Sequence, residues 1–300
     1  MFKSYISNIW TMVYIKKKRG KNRGKEENTM DKRDYISYLR EEEKSESTIK
    51  QYKREIELFY EFSRGEISKE TIIEYKDMLK NKCSETSVNT KLAAINNYLK
   101  YLGKQELRVK QLKIQKKFYC CKEKELTKCE YLRLIKTAEQ RQNEKLSLIM
   151  QSICASGIRV SELKYITIEA VKQGEAVVRL KNKTRVIMLP GKLRKKLICY
   201  AKKHGIKTGS IFITKKGKPI DRSNIWKMMK TLCVQAKVAK EKVFPHNLRH
   251  LFARIFYKMD KDIAKLADIL GHSSINTTRI YIITSGAEHR RKIDRLELVE

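Results

Sequence analysis

Three prolines and 12 glycines in 300 residues leave this chain short of the residues that interrupt helices. That scarcity excludes a collagen-like or loop-rich protein and predicts that helix dominates. Cysteine occurs seven times (Cys83, Cys120, Cys121, Cys129, Cys154, Cys199 and Cys233), an odd number without a C-x-x-C pair. A chain of this length needs no covalent staples, so reduced thiols and a cytoplasmic location are expected. Cys120 and Cys121 are neighbours without a histidine at ligand spacing, so zinc is not expected there. No apolar run approaches the roughly 18–20 residues of a membrane span, and no glycine-rich nucleotide loop is present. Acid is scarce as well. Against 68 Lys and Arg stand 34 Asp and Glu, a net charge of +34. Such an excess repels itself unless an acidic polymer neutralises it, and nucleic acid does so while releasing counterions. A merely solvated basic face is the alternative that composition leaves open.

What is there suffices for two cores, since hydrophobic residues make up 41% of the chain, including 15 Tyr and 8 Phe. Residues 1–29 form a basic extension whose apolar stretch precedes its basic one, the reverse of a secretory signal. It reads as a membrane-surface or DNA-gripping arm, or as sequence upstream of a start at Met30. Residues 30–103 predict four helices, Asp31–Glu43, Thr48–Phe62 behind Ser47, Lys69–Lys80 behind Ser68, and Thr86–Leu102 ended by Gly103. In the last, Val88, Leu92, Ile95, Leu99 and Leu102 make one apolar stripe. Residues 104–124 read as a basic linker. Residues 125–290 read as a mixed domain that opens with a capping box at Thr127 and Glu130. Its helices end first at Gly157, and two strands, 176–180 and 185–189, flank a tip of Lys181 to Thr184. Residues 291–300 are a tail in which Ile293, Leu296, Leu298 and Val299 are apolar. The fold class expected is mainly α with a small antiparallel sheet.

Three places crowd polar residues beside an apolar scaffold. In "ASGIRVSEL", Arg159 follows the glycine that ends a helix, with Glu162 three residues on. In "FPHNLRH", His246 and Arg249 share a helical face. In "LGHSS", His272 precedes Tyr281 by nine residues. Singly, each has a bland reading: a surface ion pair, a pair of histidines (His246 and His250) at metal-ligand spacing, a buried tyrosine. The metal reading is weak, because Asn247 stands where zinc proteases need Glu. Together, two guanidiniums, imidazoles, a hairpin lysine and a phenol suit a phosphodiester. Guanidiniums bind non-bridging oxygens and stabilise the charge of phosphoryl transfer, and a phenol attacks once a neighbour takes its proton.

The order "ASGIRVSEL", "FPHNLRHLFA", "LGHSSINTTRIY" resembles the tyrosine recombinases, or phage-integrase family, from about Met30 to Arg291. The resemblance implies an N-terminal helical core-binding (SAM-like) domain followed by the family's mixed catalytic domain. It implies that Arg159 and Arg249 grip the scissile phosphate with His272, that His246 assists proton transfer, and that Tyr281 forms a 3′-phosphotyrosine bond. Lys181 would protonate the leaving 5′ oxygen, although Lys183 lies two residues away and the hairpin is one residue shorter than the family's usual form. Glu162 would support Arg159. No cofactor or metal is implied. The implied partners are double-stranded DNA, other subunits of a homotetramer on two duplexes, and, left open, an accessory directionality factor. For the tail the alternatives are docking on a neighbouring subunit and folding back on its own domain. The departure of "YIITSGAEHRRKIDRLELVE" from the Xer form favours integration and excision of a mobile element. Xer-type resolution of replicon dimers, a type IB topoisomerase and a non-catalytic DNA-binding regulator are the alternatives, and the intact constellation speaks against the last.

Overall fold

The computed structural model describes residues 27–114, 125–180, 183–282 and 294–296, in two compact units divided between residues 116 and 117. The first holds α1 (Glu27–Glu41), α2 (Glu46–Ser63), α3 (Lys69–Lys82) and α4 (Glu85–Tyr101). Helix α2 starts two residues before the expected place, because Ser45 rather than Ser47 caps it, its hydroxyl accepting from the Thr48 N–H at 3.1 Å. Ser68 caps α3 as expected. The stripe of α4 is the centre of the unit, with Val88, Leu92, Ile95 and Leu99 fully buried against Phe59 of α2 and Ile72 and Leu79 of α3.

Part of the segment expected as linker lies along this unit. Asn96 donates to the Val109 carbonyl at 2.9 Å and accepts from its N–H at 3.1 Å. Asn89, two turns earlier on α4, does the same with Leu112 at 2.9 and 2.7 Å. Each amide thus satisfies both backbone groups of one extended residue, as a neighbouring strand would. Residues 115–124, with Cys120 and Cys121, fall outside the described residues.

The second unit contains α5 (Lys128–Gln140), α6 (Glu144–Ser156), a 3-10 helix (Val160–Tyr165), α7 (Ile168–Gln173), β1 (Glu175–Leu180) and β2 (Lys183–Met188). There follow α8 (Gly191–Lys203), α9 (Arg222–Leu232), α10 (Pro245–Asp260), α11 (Ile263–Leu270) and α12 (Ile275–Ile282). The capping box of Thr127 and Glu130 opens α5 as the sequence predicts. Helix α6 is buried through Leu146, Leu148, Ile149, Met150 and Ile153, and α5, α8 and α10 pack around it. A helix sheathed in this way has few exposed sides left, so what it carries at its end is held rigidly.

The two strands pair antiparallel, with Leu180 opposite Lys183. That register corrects the expected hairpin: Lys183 and Thr184 belong to β2, and only residues 181 and 182 are left for the tip. Ala176, Val178 and Ile187 face the core, whereas Val177 and Val186 are exposed, the alternation of a half-buried sheet. Lys181 lies outside the described residues. So do residues 1–26 and most of the tail; Leu296 is exposed. Among the described residues no helix is long and apolar enough to cross a membrane.

Candidate active site

Two helix ends organise the site. Helix α6 stops at Gly157 and α11 at Gly271, both with left-handed backbone (φ 64 and 63). A side chain at Gly157 would also come within 2.6 Å of the Phe252 ring, and one at Gly271 would overlap Arg185. Glycine is needed at both for conformation and for space. The last carbonyls of a helix lack partners within it and sit at the negative end of its dipole, which suits cations. Arginines take that role. Arg249 of α10 donates to the Gly157 carbonyl, and to the Leu270 carbonyl at 2.7 Å. Arg185 of β2 donates to the Ile269 carbonyl at 3.1 Å, and Arg159 to the Gly271 carbonyl at 3.3 Å. Three successive carbonyls, of residues 269, 270 and 271, therefore each hold a different guanidinium.

Arg249 is 1% exposed. Burial, then the Arg159 charge, pushes it down to about 10, so it stays protonated at neutral pH. Its Nε–H is buried and has no acceptor among the described residues. Glu162, fully buried in the 3-10 helix, accepts from the Arg159 backbone N–H and guanidinium, each at 2.9 Å, and from Arg185 at 2.5 Å. Burial alone would raise its carboxyl, but the Arg159 N–H and the Arg185 charge outweigh that and hold it below the ordinary carboxylate range.

Tyr281 is 6% exposed, and its ring lies among three imidazoles. The His250 ring is 4.2 Å away, that of His272 is stacked at 5.3 Å, and that of His246 is at 5.6 Å. The phenol oxygen is 3.4 Å from His246 Nε2, a long hydrogen bond of the kind that tightens when substrate arrives. Desolvation, joined by the charges of Arg249, Arg159 and Arg222, lowers His246. Desolvation and Arg249 bring His272 down to about 4, and desolvation and His246 bring His250 down to about 3. At pH 7 His250 and His272 are neutral.

The tautomer of His272 follows from its neighbours. Arg249 Nη2 lies 2.9 Å from Nε2 and can only donate, so Nε2 accepts. Nδ1 must then carry the proton and give it to Oγ1 of the fully buried Thr278 at 2.8 Å. His250, half of the i, i+4 pair that spacing alone makes a metal candidate, is instead packed edge-on against His246 at 4.7 Å. Among the described residues no group of three or more His, Cys, Asp or Glu could hold a metal ion.

A cavity of about 420 Å³ opens beside these groups, lined by Arg159, Arg249, His246, Arg222, Trp226 and Phe244 among others. A larger groove of about 570 Å³ between α5, α6 and α8 holds Glu139, Glu144, Lys196 and Lys203, and none of the expected site residues. The structure thus brings together Arg159, His246, Arg249, His272 and Tyr281, all anticipated from the sequence. Lys181 lies outside the described residues. Lys183 stands in β2, not in the hairpin tip where the sequence places it. Arg185, Thr278, Arg222 and Trp226 are additions that sequence reasoning missed.

Comparison with known proteins gives a consistent result. The family model described as "Phage integrase family" matches residues 124–287, and that of "Phage integrase, N-terminal SAM-like domain" matches residues 33–106. The chain is 26% identical over 276 residues to the tyrosine recombinase XerA of Pyrococcus horikoshii, covering 89% of this chain and 93% of the relative. It is 28% identical over 273 residues to the tyrosine recombinase XerD of Halalkalibacterium halodurans, covering 79% and 87%. The fold is similar to that of a lambda integrase dimer bound to a COC′ core site, with a TM-score of 0.69 at 16% identity over 86% of this chain and 95% of the other.

Proposed function

Since the chain belongs to the phage integrase family of tyrosine recombinases and is a site-specific DNA recombinase, we propose that Tyr281 is its nucleophile and that it forms a 3′-phosphotyrosine bond. The observation that carries this reading is the Tyr281 hydroxyl beside His246 Nε2, next to a cavity lined by Arg159 and Arg249. In the proposed step the phenol oxygen attacks phosphorus as His246 accepts its proton, and the bond to the 5′ oxygen breaks. Arg159, Arg249 and His272 take the non-bridging oxygens. An oxygen there would also give the Arg249 Nε–H the acceptor it lacks, recovering the roughly 1–3 kcal/mol that a buried unpaired donor costs. His272 would first release Arg249 and shift its proton from Nδ1 to Nε2, since the tautomer in the structure can only accept there. The phosphotyrosine keeps the energy of the broken bond, so rejoining needs no nucleotide.

The test is covalent trapping on a nicked suicide duplex in EDTA. A protein-linked 3′ strand at the rate seen with magnesium supports the reading, and cleavage that requires magnesium would point to a metal-dependent nuclease.

Lys181 is assigned as general acid by resemblance, and the assignment is open to a substitution test. On a duplex whose bridging 5′ oxygen is sulfur, the leaving group needs no proton, so Lys181→Ala should recover cleavage. Recovery of Lys183→Ala instead would exchange the two roles.

For the biological setting we favour integration and excision of a mobile element by a homotetramer on two duplexes, from the sequence of the tail. A second reading, resolution of replicon dimers, is favoured by a relative named XerA that is matched along 93% of its length. Recombination between direct repeats flanking a mobile element, against recombination at a replicon's dimer-resolution site, separates the two.

A further inference from the structure

Arg185 takes no part in the reaction proposed above, yet it joins three parts of the site. It leaves β2 opposite Val178, on the face of the hairpin that also carries Ala176 and Ile187, and its side chain is 13% exposed. Burying a guanidinium there is costly unless it is paired. Its pairing is with Glu162 and with the Ile269 carbonyl. Glu162 also binds Arg159, through Oε1 to the guanidinium and through Oε2 to the backbone N–H. One carboxylate is thus shared by two guanidiniums, and the trio keeps a net charge of +1.

A carboxylate alone with an arginine prefers a parallel two-oxygen fork, which occupies two donors and cancels the charge. Arg159 has the freedom to adopt it, its side chain being about a third exposed. We propose that Arg185 is a positioning residue that holds Oε2 of Glu162 and so leaves Arg159 with charge and donors for the phosphate of a DNA strand. The inference rests on the reading of Arg159 as a phosphate ligand. A plain brace is the competing role, since Arg185 also fills the space against Gly271. The two roles differ in what should replace it: a brace needs shape, whereas a counter-charge needs only positive charge near Glu162.

The full chain is assayed by single-turnover cleavage of the suicide duplex and by equilibrium binding of the intact duplex. Arg185→Gln is expected to cleave about 100-fold more slowly, the scale of one misdirected oxyanion contact. Its binding should stay within about threefold, because the many other basic contacts that dominate affinity remain. Arg185→Lys, which keeps the charge and loses the fork, should stay within about tenfold of the wild type in rate. The double variant Glu162→Gln, Arg185→Gln should be faster than Arg185→Gln alone, because the uncompensated carboxylate has gone. Equal rates for Arg185→Lys and Arg185→Gln, or a double variant no faster than the single, would overturn the proposal in favour of a brace. So would wild-type cleavage by Arg185→Gln. Should Arg185→Gln unfold, as read by circular dichroism, the ratio of Arg185→Lys to wild type decides, and a loss of 100-fold in that variant overturns the proposal. Failure of the wild type to trap any strand would instead overturn the proposed function, and needs no variant to be seen.

Discussion

Tyr281→Phe is expected to form no covalent DNA adduct, a fall of at least about 10⁴-fold in cleavage, while binding the duplex as the wild type does. The substitution removes one oxygen whose modest bond of 3.4 Å to His246 contributes little to folding. The phenyl ring keeps its place among His246, His250 and His272. Loss of chemistry with retention of binding and of melting temperature is therefore the signature. The measurement is a denaturing gel of the suicide-duplex reaction beside an anisotropy titration. An adduct that persists in the phenylalanine variant would move the nucleophile elsewhere.

Arg249→Lys is expected to lose both rate and stability, although it preserves formal charge. The guanidinium spans the Gly157 carbonyl, the Leu270 carbonyl and His272 Nε2 from one plane. A single amine cannot reach all three. A lysine buried at this depth is also driven toward its neutral form, since burial and Arg159 already bring an arginine down to about 10. We expect cleavage to fall about 10²–10³-fold, and unfolding free energy by about 2–4 kcal/mol, because buried carbonyls are left unpaired. Urea unfolding followed beside the cleavage assay reads both. A variant slow in cleavage but unchanged in stability would mean that the helix ends do not depend on Arg249.

The sequence discloses those parts of the fold and site that have local causes. Gly157 after an apolar helix, the Thr127 and Glu130 box and the α4 stripe each follow from the backbone needs of one helix, and each is found as expected. His246 with Arg249, and His272 with Tyr281, are legible because they lie close in the chain. Arg185 and Thr278 are not, since their partners lie 23 and 84 residues away for the former, and for the latter the reason to be buried is an imidazole's second nitrogen. Among 68 basic residues one more arginine draws no notice. A signal existed nonetheless. In β2 the alternation that places Ile187 inside also places Arg185 inside, and a charge on an inward position asks for a partner. The hairpin tip is shorter than its sequence suggests for a related reason, because Lys183 and Thr184 read as turn residues until the register opposite β1 is known. Trp226 and Arg222 reach the cavity only through the placement of α9 against the rest of the unit.

The run of carbonyls at residues 269, 270 and 271 carries a consequence for safety. An enzyme that cuts DNA must not fire while half assembled. Here the segment that ends in those carbonyls leads through His272 directly into the helix of Tyr281, so the loop that carries the proposed nucleophile also gathers Arg159, Arg185 and Arg249. If that segment lifts away, the three guanidiniums lose their common anchor at the same moment as the phenol leaves. On the reading of Tyr281 as nucleophile proposed above, attack and activation are thereby coupled, because the segment that carries the phenol also carries the carbonyls that hold Arg159, Arg185 and Arg249.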